Sequence, residues 1–432
     1  MVCDNITIGE NGNLYFAGQD TVKLAEEYKT PLYLMDEDKI REKCKIYMDA
    51  FRDFLPEGSK PLFASKACSF KQIYRIMKEV GMGIDVVSPG EIYTAYSTGF
   101  NLENAYFHGN NKTDEDVAFA MDCKVGYFVA DNMAEIDAIE AEAAKRSLVQ
   151  KILLRITPGI DPHTYDAIST GKVDSKFGSA IETGQADEIT GYALKQPHIE
   201  LCGFHCHVGS QVFEEDVFER AARVMLEFVK SMKDKYGFIT KILNLGGGYG
   251  VKYIESDAGL EIRGKVKSVG NAIFTACKEL NLELPVILME PGRSIVADSG
   301  MTLYTVGNVK KIPEYKNYVS IDGGMTDNPR YALYGANYTC YIANRMKEDC
   351  DMTATIAGRC CESGDLIQRD VPVPSATKRG DVVAVCTTGA YNYSMSSNYN
   401  RITKPPVVML RDGKSYVAVK RESFEDLCRN DL

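Results

Sequence analysis

From about residue 60 to residue 300 the chain repeats one hydrophobic grammar: a short β-branched or aromatic apolar run, a loop, then a longer stretch with apolar residues at helical spacing. The apolar runs are PLFAS (61–65), GIDVVS (83–88), NAYFHG (104–109), VGYFVAD (125–131), KILLRIT (151–157), IELCGFH (199–205), KILNLG (241–246) and PVILME (285–290). Segments between them, such as FKQIYRIMKEV, NMAEIDAIEAEAAKR and SVGNAIFTACKELN, read as helices, several of them opened by Ser, Thr or Asp caps. Eight such units predict an α/β fold closed as a (β/α)8 barrel of the TIM type, because parallel strands need helical crossovers and the eighth can pair with the first. A doubly wound open sheet is the alternative. After about residue 300 the pattern changes to short alternating runs, among them MTLYTVGNVKK, DVVAVCTTG and SYVAVK, divided by Gly, Pro and Asp. That predicts an all-β, antiparallel C-terminal domain. NITIG and LYFAG near the start are also strand-like, so the barrel is expected over residues 33–300 and the β-domain over 1–32 and 301–432.

Composition narrows the kind of chemistry. The 432 residues are 45% hydrophobic and 25% charged, as in an ordinary globular protein. With 50 Lys and Arg against 60 Asp and Glu, the net charge of −10 argues against nucleic acid or anionic membrane as a partner and favours a small-molecule substrate. The thirteen cysteines are odd in number and lack a CxxC pair, which reads as reduced thiols in a cytoplasmic protein. The opening MVCDNITIGENGNLYF has neither a basic nor an apolar leader segment, and no apolar run approaches the roughly 20 residues that span a bilayer.

In a barrel of this kind the chemistry sits just beyond the C-terminal ends of the strands. Lys66 follows the first run, where partial desolvation would lower its pKa and favour imine chemistry; a solvated lysine at a helix start is the plainer reading. NLGGGYG places Gly246, Gly247, Gly248 and Gly250 after the seventh run, so backbone N–H groups could approach an anion. It matches neither a Walker A loop nor G-x-G-x-x-G, and a simple glycine turn would also account for it. His205 and His207 share one face, with Cys206 opposite; no further ligand stands at customary zinc spacing, so no metal is expected. Stacking on a planar cofactor suits one of these rings and a structural role the other. Glu290, Pro291, Gly292 and Arg293 follow the eighth run and supply an acid, a turn and a cation, although a plain Glu–Arg ion pair is equally readable. Together, an amine, a phosphate nest, a flat ring and a carboxylate are what pyridoxal 5'-phosphate requires.

The chain resembles the barrel-type, fold type III pyridoxal-phosphate-dependent decarboxylases, and among them the branch acting on diaminopimelate. The resemblance is carried by PLFASKA, DVVSPGE, FHGNNKT, RITPGIDPHTYDAISTGKVDSKFG, FHCHVGSQ, NLGGGYG, EPGRS, MTDNPRYALYGA, CCESGD and GAYNYSMSSNYN. It implies decarboxylation of meso-2,6-diaminopimelate to L-lysine, the last step of lysine biosynthesis, by a homodimer whose active sites are shared across the interface. Lys66 would anchor the cofactor, His207 would stack on its ring and Glu290 would face the ring nitrogen. Ser210, the Gly246–Gly250 loop, Pro291, Gly292, Arg293 and Tyr391 would complete the cofactor site. Cys361, from the partner subunit, would donate the proton, and Glu362, Arg293, Arg330, Tyr334 and Tyr391 would contact the substrate. The chain departs from the family pattern at Gly358-Arg359-Cys360, where Gly-Pro is usual, and at Tyr331, where proline is common. Ornithine, arginine or carboxynorspermidine decarboxylation and racemisation are the rival activities; a silent homologue should have lost Lys66 or Cys361.

Overall fold

Each of the eight apolar runs forms a strand, because each is short, flanked by turns and followed by an amphipathic helix able to cover it. The computed structural model describes residues 1–160, 175–214 and 216–432, so the RITPGIDPHTYDAISTGKVDSKFG block lies partly outside the described residues. The strands are β1 (Lys60–Ala64), β2 (Gly83–Val86), β3 (Ala105–Phe107), β4 (Tyr127–Ala130), β5 (Gln150–Thr157), β6 (Ile199–His205), β7 (Ile242–Asn244) and β8 (Val286–Met289). Each pairs in parallel with the next, and Leu288 and Met289 of β8 stand opposite Lys60 and Pro61 of β1, which closes the barrel. Local signals start the outer helices: Ser88 caps Pro89–Tyr96, Thr113 forms a capping box on Asp114–Asp122, and Asn132 caps Met133–Lys145.

The barrel interior is filled rather than hollow. Leu62, Tyr106, Val129, Leu153, Cys202, Ile242 and Leu288, from every strand but β2, form one buried cluster. On β2 the corresponding space goes to Leu62, since a Cβ on Gly83 would fall 2.5 Å from its Cδ2. A plugged interior forces any ligand to the strand ends.

The chain divides into two compact units, one of residues 43–250 and 260–292, the barrel, and one of residues 1–42, 251–259 and 293–432. In the second unit the strand Gly300–Ile312 is central, pairing with Lys316–Ile321, Val382–Cys386 and Leu32–Asp36. The sheet is mixed rather than purely antiparallel: Val407–Arg411 runs parallel to Leu32–Asp36, and Lys316–Ile321 parallel to Met352–Ala357. The expected division at residues 33 and 300 shifts accordingly. Leu32–Asp36 is buried along its whole length, so its apolar run looks locally like a barrel strand. Its hydrogen-bond partners come from the far end of the chain, and nothing in the local pattern reveals them. Leu14, Phe16, Leu32, Leu34, Met301, Leu303, Ala384 and Leu410 share the core of this unit, tying the N-terminal strands to it. Among the described residues, no helix is long and apolar enough to cross a membrane.

Candidate active site

In the barrel unit the chemistry-bearing side chains gather at the C-terminal strand ends. Lys66 lies in the short turn Ser65–Ala67 directly after β1, and its side chain is exposed. Glu290 follows β8 and is buried, 6% exposed, which makes its company decisive for its charge. Asn244 Nδ2 donates to its Oε1 at 2.7 Å, His108 Nε2 stands 2.9 Å from the same oxygen, and His205 Nε2 is 3.4 Å from Oε2. Burial alone would raise this carboxyl; His108 and His205 outweigh it and hold the group well below the usual carboxylate range.

Asn244 is fixed in orientation because its Oδ1 accepts the Gly246 N–H at 2.9 Å, which turns its amide nitrogen towards Glu290. His207 is partly buried, and burial, then Lys66 and Arg155, keep its imidazole well below the ordinary histidine range, hence neutral. Its Nδ1 accepts from Gly247 N at 3.3 Å, leaving the ring a flat, oriented, uncharged surface.

The glycine loop has a different local explanation from the one its composition suggested. A Cβ on Gly246, Gly247 or Gly248 would lie 2.5, 2.1 or 2.0 Å from the carbonyl oxygens of Cys206, Glu290 and Gly209, so these residues are glycine because neighbouring backbones crowd them. The Gly246, Gly247 and Gly250 N–H groups already bond to Asn244 Oδ1, His207 Nδ1 and Val212 O. Gly248, at φ 125°, is thus the loop glycine best able to turn its amide to an anion. Ser210 lies five residues beyond β6, and Pro291 O accepts from Ala64 N at 3.2 Å, which brings the start of this turn against the end of β1. Gly292 is forced by the same closure: its Cβ would sit 2.9 Å from that of Ala64.

These residues fit pyridoxal phosphate on their own chemistry. A reachable amine, a neutral ring and a buried acid bonded to Asn244 and His205 stand at the C-terminal ends of β1, β6 and β8.

The second unit holds the remaining candidates. Arg293 is buried; its Nη1 donates to Tyr253 Oη at 2.6 Å and its guanidinium lies 4.7 Å from the centre of the Tyr391 ring. Tyr391 has φ 70°, a left-handed conformation rare for an aromatic residue and typical of functional loops. Arg330 is only 3% exposed, donates to Tyr334 Oη at 2.7 Å and Tyr338 Oη at 2.6 Å, and lies 4.7 Å from the Tyr253 ring centre. No carboxylate pairs with it among the described residues. The buried guanidinium is thus held by three phenol rings rather than by an acid among the described residues.

Cys361 and Glu362 are exposed, whereas Cys360 is buried and its thiol is pushed up to about 12 by burial and by Asp365. Of the adjacent thiols, Cys361 is therefore the reachable one.

Sequence reasoning missed three of these side chains in the barrel unit and one in the second unit. His108 follows β3, Asn244 ends β7, Asp85 lies on β2 and Tyr253 belongs to the second unit. His108 was detectable, being the polar residue at the end of the third run. His205, expected to be structural, lies against Glu290.

One pH prediction follows. Burial outweighs the attraction of Glu290 and lowers the His205 imidazole to about 4. An unfolded histidine titrates near about 6.5, so between these values the unfolded chain takes up a proton that the folded chain does not. Stability is therefore retained above pH 6.5 and lost as pH falls towards 4, by up to about 3 kcal/mol. Urea midpoints of the wild type should fall over this range more steeply than those of His205→Gln; equal slopes would contradict the assignment.

A family model described as pyridoxal-dependent decarboxylase, pyridoxal binding domain, matches residues 37–297. The diaminopimelate decarboxylase of Bacillus subtilis is 44% identical over 425 residues, covering 98% of this chain and 96% of the relative. A crystal structure of diaminopimelate decarboxylase from M. jannaschii superposes with a TM-score of 0.92 at 31% identity, covering 100% of this chain and 98% of that one. The Helicobacter pylori enzyme of the same name, complexed with L-lysine, gives 0.86 at 31% identity, with 95% and 98% covered.

Proposed function

The chain belongs to the pyridoxal-dependent decarboxylases and, within them, to the diaminopimelate decarboxylases, and from that premise we propose how its own residues divide the work. The reaction is removal of carbon dioxide from meso-2,6-diaminopimelate to give L-lysine, the last step of lysine biosynthesis. Pyridoxal phosphate, when bound, supplies the electron sink for the carbanion left behind. Lys66 anchors it through its amine, His207 offers its flat neutral ring, and Glu290 presents an ionised carboxylate to the ring nitrogen. Ser210, Gly248, Gly292 and Tyr391 serve its phosphate. Arg330, oriented by Tyr334, binds the distal carboxylate of the substrate, together with Arg293. The α carbon receives its proton from Cys361 Sγ.

The observation that carries the substrate reading is the buried Arg330 without an acidic partner among the described residues. A substrate with a second carboxylate would satisfy it, whereas ornithine or lysine would leave the guanidinium buried and unpaired, a penalty large enough for selection. Carbon dioxide release from the purified protein with pyridoxal phosphate should therefore favour diaminopimelate over ornithine, arginine and lysine by at least about 100-fold in kcat/KM. Preferential turnover of ornithine would sink the assignment.

The working enzyme is a cytoplasmic homodimer in which Cys361 and Glu362 complete the site of the other subunit. Their exposure on their own unit supports this. Mixing Lys66→Ala with Cys361→Ala subunits tests it: hybrids carrying one intact site should recover up to about a quarter of wild-type activity after random reassortment. Recovery no greater than the sum of the two inactive parents would refute a shared site.

A further inference from the structure

Two buried acids, not one, stand at the strand ends of the barrel. Asp85 on β2 is 2% exposed and Glu290 after β8 is 6% exposed. A cofactor ring nitrogen needs one ionised partner, and burial penalises charge on both. What separates them is their donors. Glu290 has Asn244 donating to Oε1 and His205 at Oε2, while His108 Nε2 stands 2.9 Å from Oε1 without hydrogen-bond alignment. Asp85 Oδ1 has no hydrogen-bond partner among the described residues and lies 3.9 Å from His108 Nε2. His108 Nε2 therefore stands within 4 Å of both acids, 3.9 Å from Asp85 and 2.9 Å from Glu290. Its ring stands edge-on to His205 with centroids 4.7 Å apart, and side-chain nitrogen and oxygen atoms of His108, His205 and Glu290 lie within 4.8 Å of one another.

The electrostatics of the pair point the same way. Burial raises the Asp85 carboxyl, and although His108 opposes this, the net direction is upward. Glu290, with the His108 and His205 imidazoles against it, goes downward. His108 Nε2 lies closer to Glu290 than to Asp85, so the imidazole acts more strongly on Glu290.

We propose that His108 is a positioning residue for the decarboxylation: standing between two buried acids, it holds Glu290 as the carboxylate that meets the cofactor's ring nitrogen and leaves Asp85 aside. The inference rests on the reading that pyridoxal phosphate binds at these strand ends. Removing the His108 imidazole should loosen both the charge and the orientation of Glu290, while the anchoring amine and the substrate-binding arginines stay in place. Glutamine reaches about as far as imidazole Nε2 and can supply an N–H there; phenylalanine keeps a ring and supplies none.

The test uses the holoenzyme of the wild type, His108→Gln and His108→Phe. Three quantities are measured on each: the visible absorbance spectrum of the bound cofactor, the pyridoxal phosphate dissociation constant by fluorescence quenching, and kcat and KM for diaminopimelate. His108→Phe should alter the spectrum, weaken pyridoxal phosphate binding by about tenfold and lower kcat by about 10- to 100-fold with KM within about twofold. His108→Gln should stay within about threefold of wild type in each respect. If the phenylalanine variant does not fold, His108→Asn, whose amide is too short to reach Glu290, must show the same losses. A His108→Phe protein with wild-type spectrum and affinity, or a glutamine variant as impaired as the phenylalanine one, would overturn the proposal. Failure of the wild type itself to take up pyridoxal phosphate would instead overturn the cofactor reading beneath it.

Discussion

Lys66→Ala is expected to abolish both decarboxylation and the visible absorbance of a lysine-bound pyridoxal group, with a loss on the order of 10⁴-fold or more in kcat. Lys66 stands in a three-residue turn directly after β1, and its side chain is exposed. No other lysine occupies such a position among the described strand ends: Lys112 is buried and paired with Glu135 at 2.7 Å. A neighbour therefore cannot take over the amine's role. Because Lys66 contributes no buried contact, the variant should keep its thermal unfolding midpoint within about 2 °C of wild-type protein stripped of cofactor. That separates lost chemistry from lost fold. Retained absorbance and activity in a well-folded variant would refute the anchor.

Arg330→Met is expected to have the second largest effect, lowering kcat/KM for diaminopimelate by on the order of 10²- to 10³-fold, mostly through KM, while pyridoxal phosphate still binds. The reason is specific to the site's construction. Arg330 Nε and Nη1 are held by Tyr334 and Tyr338, and Asn392 Nδ2 in turn donates to Tyr338 Oη at 3.2 Å. The guanidinium is pre-oriented, so little ordering cost is paid when a carboxylate arrives. Methionine keeps much of the volume and removes the charge. Discrimination against monocarboxylate diamines should collapse along with affinity. An unchanged KM would place the distal carboxylate elsewhere.

The two arginines also show how far local sequence reaches. Arg293 and Arg330 could be singled out by motif, but their shared contact, Tyr253, could not. Its hydroxyl accepts from Arg293 and its ring lies beneath Arg330, yet it stands in a short segment, 251–259, that interrupts the barrel and joins the second unit. Similarly, the four-glycine loop was readable as unusual, but the cause of three of its glycines is the crowding of carbonyl oxygens from Cys206, Gly209 and Glu290, a long-range fact.

What the sequence determined by itself is everything written in short-range periodicity and in motif order: eight strands, the capped helices between them, the change to a β-rich domain, and the positions of Lys66, His207, Glu290 and Arg330. These are legible because strand and helix patterns depend on neighbours within a few residues, and because a closed parallel barrel puts successive strand ends on one side. What only the tertiary structure decided is partnership. Leu32–Asp36 looks like a barrel strand and pairs instead with residues near 301 and 408. The charge of Glu290 depends on His108, Asn244 and His205, which stand on or just after three other strands and are 182, 46 and 85 residues away in the chain. A carboxylate's state is set by the donors within a few ångströms of it, and that list is not written in its neighbours along the chain.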